Sequence, residues 1–135
     1  MTGQGRLYGA VGLGAALGSL ARGLVSLGLL AALGPAFPWG TLAVNVLGSF
    51  LIGLYATLSE PGGRLFASPA QRQFVLAGFC GGFTTFSIFS LEVVLLVERG
   101  NVGLAAVNLG ASAVSWLLAV WAGYRLGLRL NRLGR

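Results

Sequence analysis

The sequence predicts an all-α integral membrane protein of four transmembrane helices, the third broken at Gly81-Gly82. Three observations predict it. Of 135 residues, 56% are hydrophobic and 9% charged, where a soluble domain carries about 25% charged residues. The apolar residues gather into four runs, each long enough to cover the ~20 residues that cross a hydrocarbon core. Among 23 glycines, Gly14 and Gly18, Gly78 and Gly82, and Gly123 and Gly127 form small-xxx-small pairs. Such pairs let helix backbones approach closely in lipid.

The whole chain, 1–135, reads as one transmembrane domain. The first span covers 7–33; Arg6 before it imitates a signal-peptide flank, but the run exceeds the ~7–15 apolar residues of a signal core. The second span, 38–58, starts after the turn GPAFP and stops at SEPGG. A hydrophilic loop between Glu60 and Arg72 leads to the third span, 73–97. The turn Glu98-Arg99-Gly100-Asn101 leads to the fourth, 102–126. Four such thin helices enclose little space alone, which points to a dimer.

The net charge of +6 comes from nine arginines and three glutamates. Four crossings place Arg6, Arg64, Arg72, Arg125, Arg129, Arg132 and Arg135 on one side, against Arg99 and Arg22 opposite. By the positive-inside rule both termini are cytoplasmic, in the cell's inner (plasma) membrane. The arginines flank apolar runs and form no basic, aromatic-interleaved patch, which argues against nucleic acid. With no histidine and Cys80 as the single cysteine, the chain has no disulfide frame, zinc site or cysteine–histidine dyad. Cys80 reads as a small buried apolar residue.

Polar residues inside the spans carry the functional signal. Thr41, Asn45 and Ser49 recur every four residues on one face of the second span. Asn108, Ser112 and Ser115 make a second stripe on the fourth. A hydroxyl can bond its own helix, but an unpaired amide in hydrocarbon costs several kcal/mol. Asn45 and Asn108 therefore face each other, a partner or a hydrated path, and two stripes on different helices favour the path. In the third span, AGFCGGFTTFSIFSLE at 77–92 breaks an apolar helix with glycines. Irregular backbone at membrane depth is tolerated where it lies within protein or lines a cavity. Carbonyls freed there are hard oxygen ligands for a small cation. Phe86 and Phe89 then share a face, and a phenyl edge carries positive quadrupole charge suited to an anion. Taken alone, two such rings more often reflect plain packing. Glu92, an intramembrane carboxylate, reads as a functional group, a structural acceptor or a partner for Arg22.

These motifs resemble the Fluc (CrcB) family of fluoride channels, through GTLAVNVLGSFLIG at 40–53 and GGFTTFSIFSLE at 81–92, with Arg22 in GSLAR and VNLGAS at 107–112. The resemblance implies an antiparallel homodimer with two fluoride pores and a structural sodium ion at the dimer interface. It implies that Gly81 and Thr84 supply backbone carbonyls to that sodium. It implies a fluoride pathway through Asn45, Phe86, Phe89, Asn108 and Ser112, with Thr41 toward one end and Arg22 at a vestibule. The lopsided arginines sit awkwardly with a chain inserted both ways, so a heterodimer with an oppositely oriented homologue is the alternative to the favoured homodimer.

The function expected is passive, fluoride-selective export of cytoplasmic fluoride, conferring resistance to it. A proton-coupled four-helix exporter needs an acid in the first span, where this chain has Arg22. A non-conducting membrane subunit would explain the glycines but neither the polar stripes nor the break. No nucleophile, base or cofactor motif supports an enzyme.

Overall fold

The structure is a computed structural model that describes residues 3–133; Arg135, counted above among the arginines, lies outside them. The described residues form helices joined by short turns. Helix α1 covers Gly3–Leu33 and α2 covers Trp39–Leu58. The third span runs through Pro69–Glu98 as α3 (Pro69–Gln73), a π-helical segment (Phe74–Cys80), α4 (Gly81–Phe83) and α5 (Ser87–Glu98). Helix α6 covers Val102–Leu133. Among the described residues, four spans are long and apolar enough to cross a membrane.

The ends of these elements follow local chemistry. Gly34 and Gly100 take φ of +77°, where a glycine costs least. At Gly100 the N–H reaches Val97 O and the Asn101 N–H reaches Leu96 O, both at 2.9 Å, which closes α5 in a Schellman turn. Helix α3 starts with a capping box: the Gln71 N–H donates to Ser68 Oγ, and the Ser68 N–H donates to Gln71 Oε1. Helix α6 runs to Leu133, past the expected end at 126, because Arg125, Arg129 and Arg132 sit among leucines in a stretch with no proline. Its 32 residues give about 48 Å at ~1.5 Å per residue, more than the ~30 Å hydrocarbon core. The arginine-bearing end therefore stands in the headgroup region and beyond.

Two backbone crossings hold the spans together. Helix α1 lies on the π-helical segment and α4, while α2 lies along α6. At the first crossing a Cβ on Gly78 would stand 3.0 Å from Gly14 Cα and 2.7 Å from Val11 O. At the second, a Cβ on Gly123 would collide with Phe50 O, and one on Gly53 with Val120 O. The expected small-xxx-small pairs are therefore the crossing points, where dispersion between backbones replaces the hydrophobic drive that lipid removes. Leu13, Leu17, Leu20, Leu24, Leu27 and Leu30 of α1 are exposed and form its lipid face.

The interior is polar to an unusual degree. Thr41, Asn45, Thr57, Thr85, Asn108 and Ser112 are buried beside Val44, Cys80, Phe83, Phe89, Leu96 and Ala105. This inversion suits a chain whose solvent is hydrocarbon. It also sets up the site.

Candidate functional site

The third span opens at Thr84, two residues past the expected break at Gly81-Gly82. Helix α4 runs through Gly81 and Gly82, and the chain becomes extended at Thr84 (φ −87°, ψ 161°) before α5 resumes at Ser87. The glycines do something else. A Cβ on Gly82 would collide with the Ala15 backbone of α1, whereas one on Gly81 would meet nothing within 4 Å. Gly82 thus serves close packing, and the break itself has another cause.

That cause is diversion of two helical hydrogen bonds. In a continuous helix the Thr85 N–H would close onto Gly81 O, and the Ile88 N–H onto Thr84 O. Here the Thr85 N–H donates to Asn45 Oδ1 at 2.7 Å, and Asn45 Nδ2 donates to Thr85 O at 2.8 Å. The Ile88 N–H donates to Thr85 Oγ1 at 3.2 Å. One amide from α2, 5% exposed, therefore clamps both polar groups of Thr85. The Gly81 and Thr84 carbonyls are left without their helical donors. Oxygens of this kind suit a hard cation such as sodium. Arg22 Nη1 also reaches Thr84 O, at 3.4 Å, and a carbonyl oxygen has two lone pairs, so this long contact leaves one open.

Beside the break, Phe86 is 71% exposed and Phe89 is buried. Their centroids lie 5.7 Å apart with planes at 46°. Phe89 also meets Trp116 of α6 edge to face, at 4.8 Å and 74°. A cavity of about 350 Å³ opens here, lined among others by Asn45, Ser49, Thr84, Thr85, Phe86 and Trp116. The face of α2 that carries Asn45 and Ser49 thus meets the break.

On α6 the second stripe is buried at Asn108 and Ser112 and half-buried at Ser115. Asn108 and Ser112 are each 1% exposed. Ser112 Oγ donates to Asn108 Oδ1 at 3.2 Å, and Ser115 Oγ donates to Ser112 O at 3.1 Å. Asn45 bonds to Thr85 and Asn108 to Ser112, so the two amides have separate partners.

Toward the α1–α2 turn, Thr41 Oγ1 donates to Glu92 Oε1 at 2.6 Å. Of the three readings of Glu92, this is the structural-acceptor geometry at one oxygen; the other, Oε2, is buried with no partner. Arg22 and Ser19 of α1 turn instead to the break, where Ser19 Oγ donates to Gly82 O at 3.4 Å. The structure therefore brings Asn45, Phe86, Phe89, Thr84 and Arg22 around one interruption, with Thr41 and Glu92 as a separate pair.

Sequence reasoning missed Trp116 and the capping hydroxyl of Thr85. Trp116 continues the i+4 row Asn108, Ser112 by one turn, a signal that counting only small polar residues passes over. Thr85 shares a face with Glu92 by i+7 spacing, which did not disclose its pairing with an amide forty residues away.

Known proteins have sequences similar to this chain. Residues 9–124 match the family described as CrcB-like protein, Camphor Resistance (CrcB). The chain is 54% identical over 127 residues to "Fluoride-specific ion channel FluC 1" of Rhodopseudomonas palustris (strain BisB18), covering 94% of this chain and 90% of that protein. It is 52% identical over 120 residues to "Fluoride-specific ion channel FluC" of Agrobacterium fabrum (strain C58 / ATCC 33970), covering 89% and 94%. The protein so named in Opitutus terrae (strain DSM 11246 / JCM 15787 / PB90-1) is 49% identical over 128 residues, covering 94% and 96%.

Proposed function

The chain belongs to the CrcB-like family, and from that premise we propose that it is a passive, fluoride-selective channel that lets cytoplasmic fluoride leave the cell. It is a multi-pass membrane protein whose work is transport rather than catalysis. The observation that carries the reading is the broken third span, clamped by Asn45 and opening onto a cavity lined by Thr84, Thr85, Phe86 and Trp116. A backbone interruption at membrane depth is stable where it lies within protein or lines a cavity.

Fluoride is small and strongly hydrated, so its pathway must replace water with N–H and O–H donors and positive ring edges. Asn45, Asn108 and Ser112 supply polar groups, and Phe86 and Phe89 supply edges. Thr41 lies toward one mouth, and Arg22 draws anions toward the entry. With few full charges along the way, the ion binds weakly enough to leave. Chloride, being larger, is refused on width.

The active form is a dimer. A break beside a 71% exposed Phe86 cannot face lipid, and a second, inverted copy laid over it supplies the missing wall. Gly81 supports this, since its open Cβ side leaves room for a neighbour. The Gly81 and Thr84 carbonyls of the two copies would hold a sodium ion, whose positive charge offsets carbonyls turned from their helices. The membrane is the cell's inner membrane. Single chains insert either way, or an oppositely oriented homologue provides the second copy.

The test is anion efflux from proteoliposomes containing this protein alone, comparing fluoride with chloride under equal gradients. Fast fluoride loss with chloride retained supports the reading and shows that one gene suffices. Absence of fluoride loss, persisting when an oppositely oriented homologue is co-expressed, overturns it.

A further inference from the structure

Among the described residues, three buried polar atoms lack a hydrogen-bond partner: Glu92 Oε2, Asn108 Nδ2 and Trp116 Nε1. Native proteins leave few such atoms without a use. Two of the three are N–H donors on one face of α6. Asn108 and Trp116 lie eight residues apart, a little over two turns, with Ser112 between them. The Ser112 hydroxyl spends its proton on Asn108 Oδ1, so the Asn108 amide hydrogens are not taken up by the row.

Trp116 is the more constrained of the pair. An indole N–H donates and cannot accept, so no flip or tautomer relieves it. Its ring is held by the edge-to-face contact with Phe89, and the residue lines the cavity shared with Asn45, Thr85 and Phe86. Among the described residues the indole N–H reaches no acceptor of the chain, although Ser49, Thr84 and Thr85 line the same cavity. An acceptor supplied from outside the chain completes the site.

We propose that Trp116 Nε1–H is an anion donor that extends the row Asn108–Ser112 to the depth of the break, and so helps to select fluoride. The inference rests on the channel reading above. A fixed, dehydrated N–H favours the acceptor of highest charge density, which among the halides is fluoride. Phe89 then has a double duty, presenting one edge to the path and bracing the indole.

Trp116→Phe keeps a ring against Phe89 and deletes only the donor. In proteoliposomes at sub-saturating fluoride, efflux is expected to fall about tenfold, the loss of one hydrogen bond to a charged group. Trp121→Phe, on the lipid-exposed part of α6 beside Arg125, should leave efflux unchanged. In fluoride-free buffer Trp116→Phe should melt no lower than wild type, since it removes an orphaned donor. The decisive readout is the indole N–H resonance of Trp116 in detergent-solubilised protein, identified by its disappearance in Trp116→Phe. It should shift on adding sodium fluoride and stay fixed on adding sodium chloride. A resonance indifferent to fluoride, or efflux in Trp116→Phe equal to wild type, overturns the proposal. A wild-type protein that passes no fluoride removes the channel reading, while the resonance still decides whether the N–H takes the ion.

Discussion

The side-chain amide of Asn45 forms both hydrogen bonds of a peptide unit with Thr85, accepting from its N–H at 2.7 Å and donating to its C=O at 2.8 Å. The two residues sit on different spans. The amide thus stands where a helical turn of the third span would otherwise be, and it keeps that span open.

Asn45→Ala should therefore remove more than one polar group from the cavity. It strands the N–H and C=O of Thr85, each at about 1–3 kcal/mol. A loss of at least 2 kcal/mol in unfolding free energy in detergent is expected, together with loss of fluoride efflux. Asn45→Asp keeps the acceptor for the Thr85 N–H but sets a buried carboxylate against the Thr85 C=O, so it should not restore wild-type stability. Equal stability of all three proteins would show that the clamp does not hold the break.

Phe86 and Phe89 should separate stability from transport. Phe89 is buried against Trp116, so Phe89→Ala should cost about 3–5 kcal/mol. Phe86 is exposed in the single chain, so Phe86→Leu should leave its folding nearly untouched. Either Phe86→Leu or Phe89→Leu should still slow fluoride efflux, with the dimer intact by size-exclusion chromatography. Wild-type flux in both leucine variants would count against the ring edges.

Glycine substitutions should grade by what their Cβ meets. Gly78→Ala pushes a methyl carbon into the α1 backbone and should destabilise the single chain by more than 1 kcal/mol. Gly12→Ala meets nothing and should be neutral or mildly stabilising through helix propensity. Gly81→Ala also meets nothing within the chain, but on the dimer reading it intrudes on the second copy. Loss of the dimer with retained helicity, read by light scattering and circular dichroism, is the expected result for Gly81→Ala alone.

Thr41 and Glu92 form a pair whose variants differ in kind. Thr41→Val leaves both Glu92 oxygens buried without a donor, and a drop of about 1–3 kcal/mol is expected. Glu92→Gln retains an oxygen for the Thr41 hydroxyl and removes the charge, so it should be the milder change by thermal unfolding. The reverse order would mean that the Thr41 hydrogen bond contributes little.

The four spans, the glycine crossings and the polar stripes were all legible in the sequence, because each is a periodicity within one helix. Gly14, Gly78 and Gly123 announced their crossings at i+4. Asn45 announced that it needed a partner, but not which one. The position of the break was less legible. Gly81-Gly82 looks like the weak point on propensity, yet Gly82 serves packing against Ala15, and the opening falls at Thr84, where Asn45 diverts the next hydrogen bond. The π-helical segment before it left no mark on composition. Trp116 was hidden for another reason: its apolar body fits a lipid-facing reading, and its N–H matters through what surrounds it.

The clamp also bears on how the protein is made. A segment entering the bilayer alone must satisfy its own backbone, and a continuous helix does that. The open residues of the third span find their partner only in the packing against α2, which precedes that span in the chain. The interruption at Thr84 is therefore a property of the packed pair of spans and not of the third span by itself. A single amide is its latch.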